Sequence, residues 1–369
     1  MAEAAGKDPR ILRLENLDTD LPPPPEAIHA TREAIGRDED NSYLPFTGRL
    51  ELRETIAERH GRATGRPCDP ADVVVTCGGT EGMLDALLAL TGPGDEVILT
   101  DPTYAGMIYR VRLAGAVPRL VPFRPEDAAW RLDLDALGAS VTPRSRVVFL
   151  MNPSIPSGAV LSRGEWEVVS ELCRERDLRL VYNAAMERIL FDGRTVIHPA
   201  TLPGMAERTV TVGSVSKEFR MIGWRIGWVV APPEIAAEIA RVHIYNTVTA
   251  TGISQTGAQV ALESSDDDFR RSLAEWERRR DALCEALEGY ATLPAAGGWS
   301  QLLDVASLGH DSFTASRLLL EHGRVAATPM RDWGGPTADR FVRLVFSNEP
   351  VERLSLLGER ISEALGPPR

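Results

Sequence analysis

The chain has 369 residues, 43% of them hydrophobic and 25% charged, which is ordinary for a globular protein with one large domain and a smaller appended one. Its formal charge of −12 argues against a nucleic-acid backbone or an anionic membrane as main partner, since both need clustered Lys and Arg. No run approaches the ~18 apolar residues of a membrane span, and Met1 to Arg10 lack the apolar core of a signal peptide.

Cys68, Cys77, Cys173 and Cys284 lie far apart with no CxxC pair, and the six histidines form no HExxH motif. A reduced cytoplasmic protein without a metal centre is expected. In chain order, the four prolines at 22–25 are stiff and extended, and Pro25 to Gly36 and Leu50 to His60 read as helices. From Val73 a pattern repeats of short β-branched run, turn and helix. Val73 to Thr76 leads into Thr80 to Leu90, and Glu96 to Thr100 leads into Tyr104 to Ala114. Arg146 to Met151, Leu178 to Tyr182, Thr209 to Val212 and Ile226 to Val230 are further short apolar strands. Such alternation predicts an α/β fold with a mostly parallel sheet covered on both faces, and ligands bind such sheets beyond the carboxyl ends of strands. A polar run at Ser264 to Asp268 precedes a charged, helix-period stretch from Phe269 to Tyr290. A small α+β unit follows, with a helix around Ser312 to His322 and a strand at Phe341 to Phe346.

Within this frame Lys217 stands out. It lies in Ser214-Val215-Ser216-Lys217-Glu218-Phe219-Arg220-Met221-Ile222-Gly223-Trp224-Arg225, between apolar flanks at Thr209 to Val212 and Ile226 to Ala231. Burial lowers the pKa of an ammonium group, which makes a lysine nucleophilic enough to form a Schiff base. Cys77-Gly78-Gly79-Thr80-Glu81-Gly82 follows one strand and opens a helix, a place where glycines let backbone N–H groups approach an anion. Ser214 and Ser216 add hydroxyls and Arg225 a guanidinium suited to phosphate. A phosphate cup beside a Schiff-base lysine describes pyridoxal phosphate. Arg343 sits in an apolar strand and needs an anionic partner, either a substrate carboxylate or an internal Asp or Glu.

These motifs stand in one order with others: Tyr43-Leu44-Pro45-Phe46-Thr47-Gly48, Pro93-Gly94-Asp95-Glu96-Val97, Asp101-Pro102-Thr103-Tyr104, Asn152-Pro153-Ser154-Ile155-Pro156-Ser157-Gly158, Met186 to Gly193, and Phe341-Val342-Arg343-Leu344. Together they resemble the fold-type I pyridoxal-phosphate enzymes of the class I/II aminotransferase family over nearly the whole chain. The resemblance implies a large cofactor domain (45–270) with a mostly parallel seven-stranded sheet, and a small α+β domain from 1–44 plus 271–369. It implies that Lys217 binds the cofactor and shuttles the proton at the substrate Cα. Tyr104 would stack on the pyridine ring. Gly79, Thr80, Ser214 and Arg225 would hold the phosphate, with Glu81 and Ser216 beside them, and Arg343 would clamp the substrate carboxylate. Tyr43 would reach the phosphate of a neighbouring subunit, which implies a homodimer with shared active sites. Leu17, Trp299 and the Tyr245-Asn246 region would border the substrate, with Glu15, Asp18 and Asp20 near the entrance. Those acids favour a neutral or cationic substrate, unless they are only a solvated segment.

Three positions depart from the family pattern. Asn183 stands where an aspartate faces the pyridine nitrogen; an amide accepts that N–H bond but brings no charge. Charge-assisted bonds contribute about 1.5–3 kcal/mol against about 0.5–1.5 for neutral ones. The nitrogen therefore loses on the order of one pKa unit of basicity, at ~1.36 kcal/mol per unit. Met186 replaces a tyrosine, and Ile155 an asparagine, that both contact the cofactor's phenolic oxygen; Asn152 or the substrate could supply the missing donor. The expected activity is transamination of an α-amino acid. The altered contacts leave open elimination, replacement or cyclisation at Cβ or Cγ, and a protein that keeps the cofactor without turnover.

Overall fold

The first strand, β1 (Leu12–Leu14), belongs to a small sheet described below; the large sheet begins with β2 (Val73–Thr76). All four residues of β2 are buried, as a β-branched strand covered on both faces requires. The computed structural model describes residue 6 and residues 8–368, so residues 1–5 and 7 of the polar N-terminal stretch lie outside the described residues. Seven further strands join β2: β3 (Glu96–Asp101), β4 (Val117–Glu126), β5 (Ala129–Leu132), β6 (Ser145–Met151), β7 (Arg179–Asn183), β8 (Thr209–Ser214) and β9 (Gly227–Val230). Their spatial order is β2-β9-β8-β7-β6-β3-β4-β5. The inner run from β8 to β4 pairs in parallel, while β9 and the edge strand β5 run antiparallel to their neighbours. The sheet thus has eight strands, not the seven expected. Prolines and arginines in β4 (Pro118, Arg119, Pro122, Arg124, Pro125) hide the apolar pattern of the β4–β5 hairpin.

Helices cover both faces of this sheet: α1 (Pro25–Ala34), α2 (Leu50–Thr64), α3 (Gly79–Leu90), α4 (Ala105–Leu113), α5 (Arg163–Glu175), α6 (Pro233–Asn246) and α7 (Gly252–Glu263). Alternate residues of one strand feed opposite cores. Val97 and Leu99 of β3 pack with Met83, Met107, Val181 and Val212, whereas Ile98 packs with Leu150, Trp166, Leu180 and Tyr182. Helix α5 starts at a reciprocal cap between Ser162 and Glu165, a signal present in the sequence.

The long helix α8 (Asp266–Ala286) follows, capped by the Ser265 hydroxyl on the Asp267 N–H. The polar run at 264–268 is therefore a helix start, and α8 passes unbroken through 270 and 271. Beyond it lie β10 (Ser300–Asp304), α9 (Ser312–Leu318), β11 (Val325–Pro329), β12 (Phe341–Val345) and α10 (Leu357–Leu365). The small sheet has the order β1-β11-β12-β10, so the N-terminal strand returns to pair in parallel with β11. Helix α1 goes the other way: its Ala27 is buried in a core shared with Val73, Val75 and Ala258. The link between β1 and α1 thus runs from the small sheet to the large one, past the carboxyl ends of β7 and β8.

Candidate active site

A cavity of about 280 Å³ opens at the ends of β7 and β8, where α3 begins and where Arg343 of β12 faces the large sheet. Lys217, three residues beyond β8, points its Nζ at the backbone carbonyl of Leu17, at 2.6 Å. The indole of Trp299 lies 4.9 Å from the same nitrogen. Burial lowers the Lys217 pKa to about 7; Asp18 opposes the shift, and Arg343 and Arg225 add to it. An amine that is neutral in a substantial fraction near physiological pH is what Schiff-base chemistry needs.

One end of the cavity is an anion cup. Gly79 and Thr80 supply the first turn of α3, and Ser214, Ser216 and Arg225 line the facing side. The Ser214 hydroxyl donates to Ser216 Oγ at 2.8 Å and receives the Ser216 N–H at 3.0 Å. The cup depends on missing side chains. A Cβ on Gly78, which has φ +77°, would meet Arg225 Nη2 at 2.5 Å. A Cβ on Gly227 would lie 2.3 Å from the Gly79 backbone nitrogen. Arg225 itself adopts φ 54° and gives an N–H to the Ile222 carbonyl at 2.9 Å, which holds its guanidinium over this turn.

At the other end stands Arg343, 5% exposed. Its Nη2 donates to the Glu15 carbonyl at 2.6 Å and to Thr328 Oγ1 at 3.1 Å, and its guanidinium covers the Trp333 ring at 4.6 Å. Burial lowers its pKa to about 10. Its Nε finds no partner, and among the described residues no carboxylate forms an ion pair with it. The internal Asp or Glu that the sequence left open is therefore not there, and a buried guanidinium with a free donor is suited to a ligand carboxylate.

Leu17, Tyr104, Ile155 and Asn183 also line the cavity. Asn183, at the end of β7, takes the Ala185 N–H on Oδ1 at 3.0 Å and sets Nδ2 3.2 Å from Met83 Sδ. The remaining residues singled out in the sequence lie elsewhere. Met186 and Trp299 are fully buried in the core beneath the cavity, against which the cavity-lining Ile155 also packs. The Asn152 side chain anchors its own turn, accepting the Leu161 N–H at 2.8 Å. Glu81 turns away from the cup. It caps its helix at the Cys77 N–H and faces His243 Nδ1 at 3.3 Å, in a buried cluster with Asp85. Tyr43 is 85% exposed and touches nothing in the cavity. Of the acids near the entrance, Glu15 pairs with Arg13 and Asp20 with Arg279, while among the described residues no ion pair engages Asp18.

Sequence reasoning missed Met83, Met151, Ala185, Ile222 and Trp333. Met83 lies four residues after Gly79 on α3, one turn further along the same face, and could have been found. Trp333 carries no local signal; its carbonyl accepts the Thr103 N–H at 2.8 Å, which brings it beside Tyr104. A larger cavity of about 580 Å³ lies behind β8 and shares Ser214 with the first. It is bordered by Arg188, which pairs with both Glu218 and Asp266, and no lysine lines it.

The family model described as aminotransferase class I and II matches residues 12–361. The chain is 34% identical over 347 residues to the arginine–pyruvate transaminase of Pseudomonas aeruginosa, covering 92% of this chain and 87% of that one. It is 33% identical over 357 residues to a probable N-succinyldiaminopimelate aminotransferase of Mycobacterium tuberculosis, covering 91% and 90%. The solved N-succinyldiaminopimelate aminotransferase from Mycobacterium tuberculosis superposes with a TM-score of 0.91 at 32% identity, covering 98% of this chain and 95% of that structure. With this site on this fold, the chain belongs to the class I and II aminotransferase family. It is a fold-type I aminotransferase dependent on pyridoxal 5′-phosphate. The glycine-lined anion cup, the amine of Lys217 with its lowered pKa and the unpaired donor on Arg343 fit that cofactor and an amino-acid substrate.

Proposed function

We propose that the protein transfers the α-amino group of a neutral or cationic amino acid to a 2-oxo acid, as a cytoplasmic homodimer. The observation that carries the reading is the pair of basic side chains in one cavity: Lys217 with its depressed pKa, and Arg343 with a free Nε and, among the described residues, no carboxylate partner. Gly79, Thr80, Ser214, Ser216 and Arg225 would hold the cofactor phosphate, and Tyr104 would stack on the ring. Pyridoxal phosphate supplies the carbonyl that captures the amino group and the ring that draws electrons from Cα. Lys217 holds the cofactor through Nζ and, once released, carries the proton at Cα. Arg343 binds the substrate carboxylate, with Glu15, Thr328 and Trp333 fixing its plane. Trp299 keeps water from the amine.

Asp18 adjoins Leu17 and, among the described residues, pairs with no cation, so it favours a positively charged side chain in the outer pocket. The likeness to an arginine–pyruvate transaminase supports the cationic alternative. Tyr43 completes the cup of a second copy, a role its 85% exposure supports. The four cysteines are free, as a reducing compartment allows, and no helix among the described residues is long and apolar enough to cross a membrane.

A visible-absorption screen of the cofactor-loaded protein against the common amino acids, with assays for 2-oxo acid and ammonia, tests the proposal. Conversion of an amino donor with a 2-oxo acid acceptor supports it; no conversion across the panel sinks it. A second reading, elimination, replacement or cyclisation at Cβ or Cγ, is favoured by the apolar Ile155 and Met186 and by the uncharged Asn183. Release of ammonia or a side-chain fragment without an acceptor distinguishes it.

A further inference from the structure

Asn183 closes the cavity floor at the end of β7 and is 4% exposed. Its carboxamide is held at both ends: Oδ1 accepts the Ala185 N–H at 3.0 Å, and Nδ2 lies 3.2 Å from Met83 Sδ. Exchanging the two ends would set NH2 against the Ala185 N–H, donor against donor. The backbone of the β7 turn therefore fixes which end is which. A thioether is a weak acceptor, and Nδ2 carries two hydrogens, so the amide keeps a buried donor without a strong partner.

Of the other polar side chains of the cavity, all but Tyr104 are already committed. Thr80, Ser214, Ser216 and Arg225 form the anion cup, and Lys217 and Arg343 serve the reacting amine and the carboxylate. The cofactor's phenolic oxygen is ortho to the ring carbon whose aldehyde Lys217 takes and would stay on that side. The ring nitrogen is para to it and would point to the floor, where Asn183 stands among Met83, Met151 and Ile155. We propose that Asn183 donates an Nδ2–H hydrogen bond to that nitrogen and so holds it unprotonated. No proton moves in this contact: the nitrogen lone pair accepts, and the amide keeps its hydrogen. The expectation from sequence, an amide oxygen accepting from a ring N–H, is thereby reversed, because that oxygen already serves Ala185. An unprotonated ring draws less charge from Cα, so a larger share of the barrier falls to Lys217 as the base.

The inference rests on the site assignment above, and the test separates the two. Protein loaded with ring-15N-labelled pyridoxal phosphate is examined by 15N NMR at neutral pH, alongside N183D and N183A. The expected wild-type signal falls in the range of an unprotonated pyridine nitrogen and moves to the pyridinium range in N183D. N183A should keep the visible cofactor band while cofactor affinity falls roughly 2- to 10-fold, the loss of one neutral hydrogen bond. A wild-type signal already in the pyridinium range overturns the proposal, as does a signal that N183D leaves unmoved. If the wild-type protein takes up no cofactor at Lys217, the site assignment fails and this inference falls with it.

Discussion

Lys217 Nζ donates to the Leu17 carbonyl at 2.6 Å, so the reactive amine is held by a backbone oxygen and by no carboxylate. A carbonyl can accept a hydrogen bond from the neutral amine as well as from the ammonium, and it favours the charged form less than a carboxylate would. The amine therefore stays in position while burial keeps its pKa down.

The cofactor-free protein should feel that burial. The Lys217 pKa falls from 10.5 unfolded to about 7 folded, so between those values the unfolded chain binds more protons. Stability should rise with pH from about 7 towards 10.5 by up to a few kcal/mol, at ~1.36 kcal/mol per unit. K217M should remove this slope and raise the melting temperature below pH 7. It should also abolish the visible cofactor band. Denaturant melts of the apo protein across that pH range check the first outcome, and absorption spectra the second.

Removing Arg343 takes away a charge-assisted contact worth about 1.5–3 kcal/mol. R343A should lower kcat/KM for an amino-acid donor roughly 10- to 150-fold, chiefly through KM. R343K should recover only part of it, because an ammonium cannot reproduce the guanidinium's contacts with Glu15 and Thr328 and still present a second N–H. Steady-state kinetics with one donor decide the matter; an unchanged KM in R343A would remove the carboxylate clamp.

Asp18 is exposed, so its attraction for a cationic side chain is modest, about 0.2–1 kcal/mol. D18N should lower kcat/KM for arginine or lysine by roughly 2- to 5-fold relative to a neutral donor. Because Asp18 opposes the fall in the Lys217 pKa, the same variant should move the pH profile of the apo amine downward. Equal losses for arginine and norleucine would show that Asp18 acts only on the lysine.

Behind the site, burial and the neighbouring Glu218 charge raise the Glu187 pKa to about 8. The folded chain then holds a proton that the unfolded chain releases near 4.5, so stability falls as pH rises from about 4.5 to 8. E187Q should flatten that window and stabilise the protein at pH 8. The Gln amide can still bond the Tyr182 hydroxyl, which lies 3.2 Å from Glu187 Oε2. Thermal melts of the two proteins at pH 5 and pH 8 provide the comparison.

His243 has the opposite sense. Burial disfavours its charge, but Asp85 and Glu81 together raise its pKa to about 9. Its contribution is complete below pH 6.5 and is lost as pH rises through about 9. H243N should cost about 3–5 kcal/mol near pH 6, since two buried carboxylates lose their cation, and less at pH 10. Urea denaturation at the two pH values measures the difference.

Much of this site was legible because its chemistry is local. Lys217, Ser214, Ser216 and Arg225 share one loop, and Gly78, Gly79 and Thr80 share one turn, so their spacing survives folding unchanged. What escaped depends on chain crossings. Glu81 looks like part of the cup by position, yet its carboxylate turns to His243 on α6, which sequence does not connect to α3. Trp333 reaches Arg343 only because Thr103 ties its loop to the large sheet. The β4–β5 hairpin was hidden by its prolines. The orientation of Asn183 could not be read at all, since it is set by a backbone N–H two residues away.

The link between β1 and α1 has a role beyond connection. Its Leu17 carbonyl holds the amine of Lys217, and its Glu15 carbonyl holds the guanidinium of Arg343. One short stretch of backbone thus ties the small sheet to both basic groups of the cavity, so a shift of β1 against the large sheet would move the anchors of the amine and the guanidinium together.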